Sequence, residues 1–291
     1  MAETLQTYQV PEHHVKAFTS NVMHAVQREG GIFRSRVLPG SYSGETAQVV
    51  NLIGEVAFTK RTTRAADTVL SEVEHKQRWI APGDWDFHVL VDSLDKLRML
   101  YDPMNPYVEA ARKAALRCED TDVLGSFFAT ALTGKLGAST TAYTAGNTIA
   151  HGGTGLTLAK LRALRKLMKQ QFIDIQVEKP MIAVTAEDVD DLLGETQIQS
   201  ADYNSIKALV DGEVKTFMGF EFVPCEEIVA VASTRTLPAW LKSGMHLGDW
   251  ATLSTIVVPR ADKNNIPQLS MNMTFGSTRL EEKKVFAIET Q

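Results

Sequence analysis

Residues 45–91 hold extended, strand-like runs around a charged centre, and this pattern limits most strongly how the chain can fold. The run from Val49 to Phe58 is rich in valine, leucine, isoleucine and phenylalanine, and the run from Thr68 to Trp79 is more polar. Between them, residues 60–64 read Lys-Arg-Thr-Thr-Arg, a basic and polar connection. Two extended segments joined by a polar tip predict a protruding hairpin.

The tip of this hairpin has little to bury within its own subunit. An isolated two-stranded hairpin is marginal in water, and residues 60–78 are mostly charged and polar. We therefore expect the hairpin to lie across an adjacent copy of the chain, with Lys60, Arg61 and Arg64 as intersubunit contacts to acidic partners. The alternative is an ordinary surface hairpin whose charges face solvent, where exposed ion pairs often contribute less than about 1 kcal/mol.

Helical patterns alternate with strand patterns along the rest of the chain. Asn105 suits an N-cap and Pro106 the first helical position. The Ala-rich stretch from Tyr107 to Leu132 then predicts one long helix, roughly 39 Å if continuous, which Gly134 ends. Further helices are predicted over residues 11–29, from Ser93, and from Thr157, where Thr157 is the cap.

The helix after Thr157 has a clear apolar stripe. Its predicted buried residues are Leu158, Leu161, Leu164, Met168 and Phe172, and its predicted solvated residues are Lys160, Arg162, Arg165, Lys166 and Lys169. Thr185 and Asp188 have the spacing of a capping box at the start of a small helix that Gly194 closes. Strands are predicted at 49–58, 68–79, 85–91, 180–184, 220–222, 255–258, 271–275 and 284–288. Helices and strands are mixed without a βαβα rhythm, which favours an α+β fold.

No catalytic, cofactor-binding or metal site is predicted. The segment 40–44 has Tyr42 where a nucleophile elbow needs serine, and the seven histidines have no metal-ligand spacing. The acidic run 187–191 reads as a helix N-terminus stabilised by the helix dipole. We therefore do not expect an enzyme, although a soluble hydrolase with a site built from scattered residues stays an alternative.

Charge and hydropathy exclude several other classes. The formal net charge of -5 argues against a dedicated nucleic-acid binder, which needs dense lysine and arginine. No stretch reaches the roughly 20 apolar residues of a membrane-spanning helix, and the N-terminus lacks the pattern of a secretory signal. We expect a protein kept in a reducing cytoplasm, with no membrane partner and with Cys118 and Cys225 as free, buried thiols.

Three segments, in order, resemble tailed-phage major capsid proteins, particularly those of short-tailed phages. They are Lys179–Val184 with Asp191–Leu193, then Asp202-Tyr203 with Asp211–Pro224, and finally Gly276–Ile288. The second contains the pattern D-G-x-V-x-x-φ-x-G-F, which this family often carries after a short helix. The resemblance extends over most of the chain and is best from about Gly155 onwards. Encapsulin shells share the family fold, so a nanocompartment shell is the nearest alternative.

The resemblance implies both an architecture and partners. Residues 1–44 would form an N-terminal arm, 45–91 the E-loop hairpin and its base, and 92–140 a peripheral domain with the spine helix. Residues 141–265 would form an axial domain, and 266–291 would return to the peripheral domain. Copies would assemble as hexamers and pentamers into an icosahedral capsid, formed in the host bacterial cytoplasm. The implied partners are a scaffolding protein, a portal and non-specifically contacted double-stranded DNA, with a decoration protein as a further candidate.

Overall fold

The computed structural model describes residues 29–60, 62–64, 67–68, 70–91, 104–194 and 216–291. The predicted helix over residues 11–29 lies almost wholly outside the described residues, and so does the helical pattern that begins at Ser93. Asp202-Tyr203 and residues 211–215 of the Asp211–Pro224 segment also lie outside them.

The described chain contains three α-helices and fourteen strands. The helices are α1 (Met104–Ser126), α2 (Leu158–Gln170) and α3 (Ala186–Gly194). The strands are β1 (Leu38–Ser41), β2 (Ala47–Ile53), β3 (His75–Ile80), β4 (Gly83–Leu90), β5 (Ala131–Thr133), β6 (Ser139–Thr141), β7 (Thr148–Ile149), β8 (Met181–Val184), β9 (Thr216–Phe217), β10 (Phe220–Pro224), β11 (Arg235–Trp240), β12 (Met245–Arg260), β13 (Ile266–Arg279) and β14 (Val285–Thr290).

These strands form three sheets, in which antiparallel pairs dominate. One four-stranded sheet has the order β1-β12-β13-β4 and the other has the order β2-β3-β5-β6, while the six-stranded sheet has the order β7-β14-β11-β8-β10-β9. Only the pairs β1–β12, β8–β10 and β7–β14 are parallel among the described strands. Mixed sheets flanked by helices confirm the predicted α+β class.

The long helix α1 begins earlier and ends earlier than predicted. It starts at Met104, so Asn105 lies inside the helix and is not its N-cap. It ends at Ser126 after 23 residues, about 35 Å, and Gly134 is not its terminus. The reason is that residues 131–133 form β5, which pairs with β3 and β6. Sheet pairing takes these residues out of the helical pattern.

Helix α2 confirms most of its predicted pattern. The Thr157 side chain accepts a hydrogen bond from the Lys160 amide at 3.4 Å, so Thr157 is the N-cap. Leu158, Leu161, Leu164 and Met168 are buried. Two assignments were wrong. Phe172 lies beyond the helix, at a φ of 61° and 94% exposed, and Lys160 is buried instead of solvated.

Helix α3 begins with the predicted capping box. The Thr185 amide donates to Asp188 Oδ2 at 3.2 Å, and the Asp188 amide donates to Thr185 Oγ1 at 3.4 Å. These reciprocal bonds satisfy two amide groups that the first turn leaves without partners. The described part of the helix extends to Gly194, beyond which the residues are not described.

The main core joins the six-stranded sheet to α1, α2 and the segment before β1. Phe33, Phe127 and Trp240 are fully buried there. The ring centroids of Phe127 and Trp240 are 4.8 Å apart, and those of Phe33 and Trp240 are 5.6 Å apart. Three segments that are far apart in sequence therefore meet at one aromatic contact.

The sheets do not follow the predicted division at residues 265/266. Strands β12 and β13 lie on opposite sides of that boundary, yet they pair with each other from Met245↔Arg279 to Arg260↔Ile266. Residues 266–291 were predicted to return to the peripheral domain. Within them, β13 pairs with β12 and β4, and β14 pairs with β11 and β7 in the six-stranded sheet. The segment therefore contributes to two sheets, and the β12–β13 hairpin crosses the predicted boundary.

The aromatic contact generates a stability prediction. Phe33→Ala should lower the free energy of unfolding of the unassembled subunit by about 3–5 kcal/mol, because it removes a fully buried ring and leaves a cavity. Urea denaturation at low protein concentration measures it. The matched control is Phe172→Ala, which truncates an exposed ring and should change stability by less than about 0.5 kcal/mol. Equal losses in the two variants would contradict this account of the core.

Candidate assembly surfaces

The hairpin predicted from residues 45–91 is present as β2 and β3. They pair antiparallel from Ala47↔Ile80 to Ile53↔His75. One further backbone bond, from the Gly54 amide to the Glu74 carbonyl at 2.7 Å, closes the ladder. The run at 85–91 was placed at the base of this hairpin, but it forms β4 and pairs with β13 instead. Sheet pairing across the chain therefore separates the third run from the first two.

Residues 55–73 form a long connection between β2 and β3, which we call the hairpin loop. Its described part has no strand, and several of its apolar side chains face solvent. Phe58 is fully exposed and Leu70 is 88% exposed. Lys60 and Arg64 are also exposed and make no ion pair among the described residues, while Arg61 lies outside those residues. Within one subunit, the described part of the loop is mostly exposed to solvent and makes few contacts.

A buried arginine fixes the base of the hairpin. Arg78 in β3 is 1% exposed, and its Nε donates to the Leu280 carbonyl at 2.7 Å. Its Nη2 is bonded to the Glu282 carboxylate. Next to it, the Trp79 indole donates to the Gly134 carbonyl at 2.8 Å. The base of the hairpin is thus held to the segment that follows β13.

A second buried arginine joins the same carboxylate to the end of α1. Arg279 Nη1 donates to the carbonyls of Phe127 and Ala129 at 2.8 and 3.0 Å, in the turn that directly follows α1. Arg279 Nε is 3.8 Å from Glu282 Oε1. Burial lowers the pKa of Arg279, and the charge of Glu282 opposes that shift. We call Arg78, Arg279 and Glu282 the arginine–glutamate cluster.

Residues 29–41 form a strap that ties α1 to the sheets. The Asp120 carboxylate accepts hydrogen bonds from the Ile32 and Phe33 amides at 3.2 and 3.1 Å. Arg34 bonds to Glu119 in α1 and to Asp249 in β12. Strand β1 then runs parallel to β12. The strap therefore sets the position of α1 relative to the sheet that contains β12.

A buried histidine lies where the strap meets β12. The Tyr42 hydroxyl is 2.8 Å from His246 Nε2, and His246 is 5% exposed. Burial lowers the pKa of His246 from its usual 6.5 to about 4, and Asp249 opposes the shift. The imidazole is therefore neutral near pH 7.

The far half of the β12–β13 hairpin is a second exposed surface. Strand β1 covers only residues 246–249 of β12, so the remainder of β12 is an edge strand. Ile256, Val257 and Val258 are each about half exposed. The turn between the strands has left-handed residues at Asn264 and Asn265. An uncovered edge with apolar side chains is a surface that other chains can pair with.

Sequence reasoning missed the residues that anchor these surfaces. These residues have most of their bonding partners 85 or more residues away in the sequence; they are Arg78, Arg279, Asp120 and Lys160. No local motif marks them, because a buried ion's partners are set by tertiary contacts. The predicted contact residues Lys60 and Arg64 are not brought to any acidic group within the described chain.

The described residues show neither a candidate metal site nor a candidate membrane span. They contain no group of three or more histidine, cysteine, aspartate or glutamate side chains that could hold a metal ion. None of the described helices has the length and hydropathy to cross a membrane. Cys225 is buried, as predicted, whereas Cys118 is only half-buried, and the two form no disulfide in the described structure.

Comparisons with known proteins give one consistent answer about fold and family. A sequence model of the phage capsid protein family matches residues 10–291. A search of curated proteins finds no match. Similar solved structures include the capsid of the cyanophage P-SCSP1u, with a TM-score of 0.73, 15% identity, and coverage of 96% of this chain and 93% of that one. A native GTA particle capsid has a TM-score of 0.73, 13% identity and 99% coverage of both chains.

The arginine–glutamate cluster generates a second stability prediction. Arg279→Met keeps the apolar bulk but leaves the Phe127 and Ala129 carbonyls and part of Glu282 without a donor. We expect a loss of about 3 kcal/mol in the free energy of unfolding of the unassembled subunit. Arg162→Met, at an exposed arginine, should change it by less than about 0.5 kcal/mol. Equal stabilities in urea titrations of the two variants would refute the structural role of the cluster.

His246 generates a prediction of pH dependence. Its pKa is lower in the folded subunit than in the unfolded chain, so the unfolded chain binds the proton first as pH falls. The stability that depends on neutral His246 is full above pH 6.5 and is lost towards pH 4, by about 3 kcal/mol.

The control for this prediction is His246→Gln, which can keep a hydrogen bond to Tyr42 but does not titrate. Asp249, with its partner Arg34, and Tyr42 are the other ionisable groups next to the ring. Stability should be measured for both proteins from pH 7 to pH 4, and the variant should show the smaller loss. Parallel curves would show that His246 does not cause the dependence.

Proposed function

This chain belongs to the phage capsid protein family, and we propose that its copies assemble as hexamers and pentamers into an icosahedral shell around double-stranded DNA. The protein is a structural capsid subunit and a component of the virion. The feature of the molecule that best supports the proposed shell is the hairpin loop, which projects apolar side chains from a base held by two buried arginines. In a single subunit the apolar side chains of the loop stay in solvent. In a lattice of copies, each repeated contact can bury them.

We propose a revised division of the chain for this role. Residues 1–44 serve as the N-terminal arm, and β2, β3 and the hairpin loop as the E-loop. Helix α1 and the sheet β1-β12-β13-β4 form the peripheral domain. The six-stranded sheet with α2 and α3 forms the axial domain, and β14 belongs to it because of its pairing with β11.

The hairpin loop is proposed to bind an adjacent subunit mainly through its apolar side chains. Burying a phenylalanine or leucine side chain contributes about 1.5–3 kcal/mol, whereas an exposed ion pair contributes less than about 1 kcal/mol. Phe58 and Leu70 therefore outweigh Lys60, Arg61 and Arg64, whose proposed role is to select acidic partners and to set the register of the contact.

Further partners are proposed from the family membership. They are a scaffolding protein and a portal during assembly and double-stranded DNA held by non-specific contact, with a decoration protein on the outside as a further candidate. The formal net charge of -5 fits a wall that encloses DNA without binding it tightly. Assembly is proposed to take place in the cytoplasm of the host bacterium. The family favours a phage shell over a nanocompartment, and a structural role over a hydrolase.

Removing the hairpin loop tests this proposal. Residues 55–73 should be replaced by a short Gly/Ser linker, which keeps the Gly54–Glu74 bond and the buried Arg78. The variant should fold with a normal circular dichroism spectrum but form no closed particles in sedimentation and electron microscopy. Closed particles from this variant would disprove the interlocking role.

Two point variants separate the apolar from the charged contribution. Phe58→Ser with Leu70→Ser should raise the concentration needed for assembly by about tenfold or more, since tenfold corresponds to 1.4 kcal/mol. Lys60→Ala with Arg61→Ala and Arg64→Ala should raise it less. The opposite order would mean that the charges dominate this contact.

A further inference from the structure

The two ends of the six-stranded sheet carry opposite charge. Strands β8 and β10 run parallel, so the residues before both strands lie at one end and those after both at the other. Lys179 precedes β8 and Gly219 precedes β10, whereas Thr185 and Cys225 follow them. We call these the entry end and the exit end of the sheet.

The entry end is basic and open. A cavity of about 330 Å³ is lined there by Arg165, Lys169 and Lys179, and an adjoining depression is lined by Arg162 and Lys166. None of the four α2 cations forms an ion pair or hydrogen bond within the described chain. The nearby acids are Asp174, which caps the Gln176 amide, and Glu178, which bonds to Ser243. The positive charge of α2 is therefore not neutralised within the subunit.

An aromatic side chain projects beside these cations. Phe172 follows the last turn of α2 and is 94% exposed at a φ of 61°. A left-handed conformation costs a non-glycine residue on the order of 1–2 kcal/mol. Val177, on the same connection to β8, is 85% exposed. Exposed aromatic rings beside arginine side chains match the enrichment of aromatic residues and arginine in protein–protein interfaces.

The exit end is acidic and contains a cavity of about 260 Å³. Asp188 and Thr290 line it and are almost completely buried, and Asp188 Oδ1 and Thr290 Oγ1 have no hydrogen-bond partner. Asp190 and Asp191 also line the cavity. Asp191 interacts electrostatically with Lys160, whereas Asp190 forms no ion pair among the described residues. The buried oxygens of Asp188 and Thr290 need a hydrogen-bond donor that the described residues do not supply.

Neither local cation is available to fill this cavity. Arg235 lines the cavity, but it is already bonded to Glu187 and to Thr185 Oγ1, and its Nη1 is 3.7 Å from Asp188 Oδ2. Lys160 donates from Nζ to the carbonyls of Thr154, Gly155 and Glu289, which uses all three of its protons. A metal ion is not indicated, because no three ligating side chains of the described residues converge. The cavity suits an ammonium or guanidinium group from outside the subunit.

Two exposed valines flank the exit end. Val229 and Val231 are each 77% exposed. Val231 bridges to Thr234 around a tight turn whose central residues, Ala232 and Ser233, both have positive φ. The exit end thus offers the apolar and charged groups that complement those of the entry end.

We propose that the entry end of one copy docks on the exit end of the next, so that α2 cations occupy the acidic cavity and Phe172 packs near the two valines. This inference rests on the proposed shell function, since it describes the contact that closes a ring of copies. A ring needs two different, complementary faces on each subunit. Opposite charges at opposite ends of the same strands supply two such faces. Packaged DNA would match the basic end alone and would leave the acidic cavity unexplained.

Charge reversal on each face tests the proposal. One variant carries Lys166→Glu and Lys169→Glu, and the other carries Glu187→Lys and Asp190→Lys; all four residues are exposed, so folding should be retained. Each reversed face would meet a like charge on the next copy, and the yield of closed particles should fall by about tenfold or more. A chain with all four changes restores opposite charges at every contact and should recover the yield to within about twofold.

The controls distinguish this contact from other roles. Lys135→Glu, an exposed charge reversal outside the six-stranded sheet, should assemble as the wild type does. The proposal is overturned if either reversed face alone assembles normally, or if the fourfold variant is folded by circular dichroism but does not recover. It is also overturned if the Lys166/Lys169 variant forms normal shells that only lose DNA.

The shell function has a separate readout in the same experiment. If wild-type protein forms no closed particles, the shell function fails and the ring contact fails with it. If wild-type and all variants form them equally, the ring contact fails and the shell function stands.

Discussion

The subunit depends on two arginines that are buried where its parts meet. Arg78 from the hairpin and Arg279 from the end of β13 share the Glu282 carboxylate and donate to backbone carbonyls that would otherwise lack partners. A buried charge without partners is very costly, so each arginine requires its carbonyls and carboxylate to stay in place. The cluster therefore couples the hairpin, the end of α1 and the C-terminal segment, and it gives the projecting loop a rigid base.

The distribution of burial explains how one chain can be both a stable subunit and a building block. The six-stranded sheet, α1 and α2 bury their apolar faces around Phe33, Phe127 and Trp240. The hairpin loop and the far half of β12–β13 leave apolar side chains in solvent. Apolar surface that a subunit cannot bury by itself can be buried when copies associate. The subunit therefore combines a well-buried core with arms whose apolar side chains stay exposed. This combination fits the physical requirements of shell assembly.

Prediction from sequence succeeded where the determining interactions are local. The caps at Thr157 and Thr185 and the stripe of α2 follow from bonds and periodicity within a few residues. It failed where distant segments compete for the same residues. The pairing of residues 131–133 with β3 and β6 ends α1 early, and the pairing of 83–90 with β13 removes that run from the predicted hairpin. Lys160 was expected in solvent, yet it is buried and donates to carbonyls up to 129 residues away.

The sequence by itself determined the α+β class, most helix and strand positions, the presence of a hairpin around a charged tip, and the family resemblance that the comparisons confirmed. Only the tertiary structure decided which surfaces face outwards and what holds them. It placed Arg78 and Arg279 on one carboxylate, assigned β14 to the six-stranded sheet, and set a basic and an acidic end on the same strands. The reason is physical: helix caps and periodicity act over one turn, whereas the partners of a buried ion or an edge strand are chosen by how the whole chain packs.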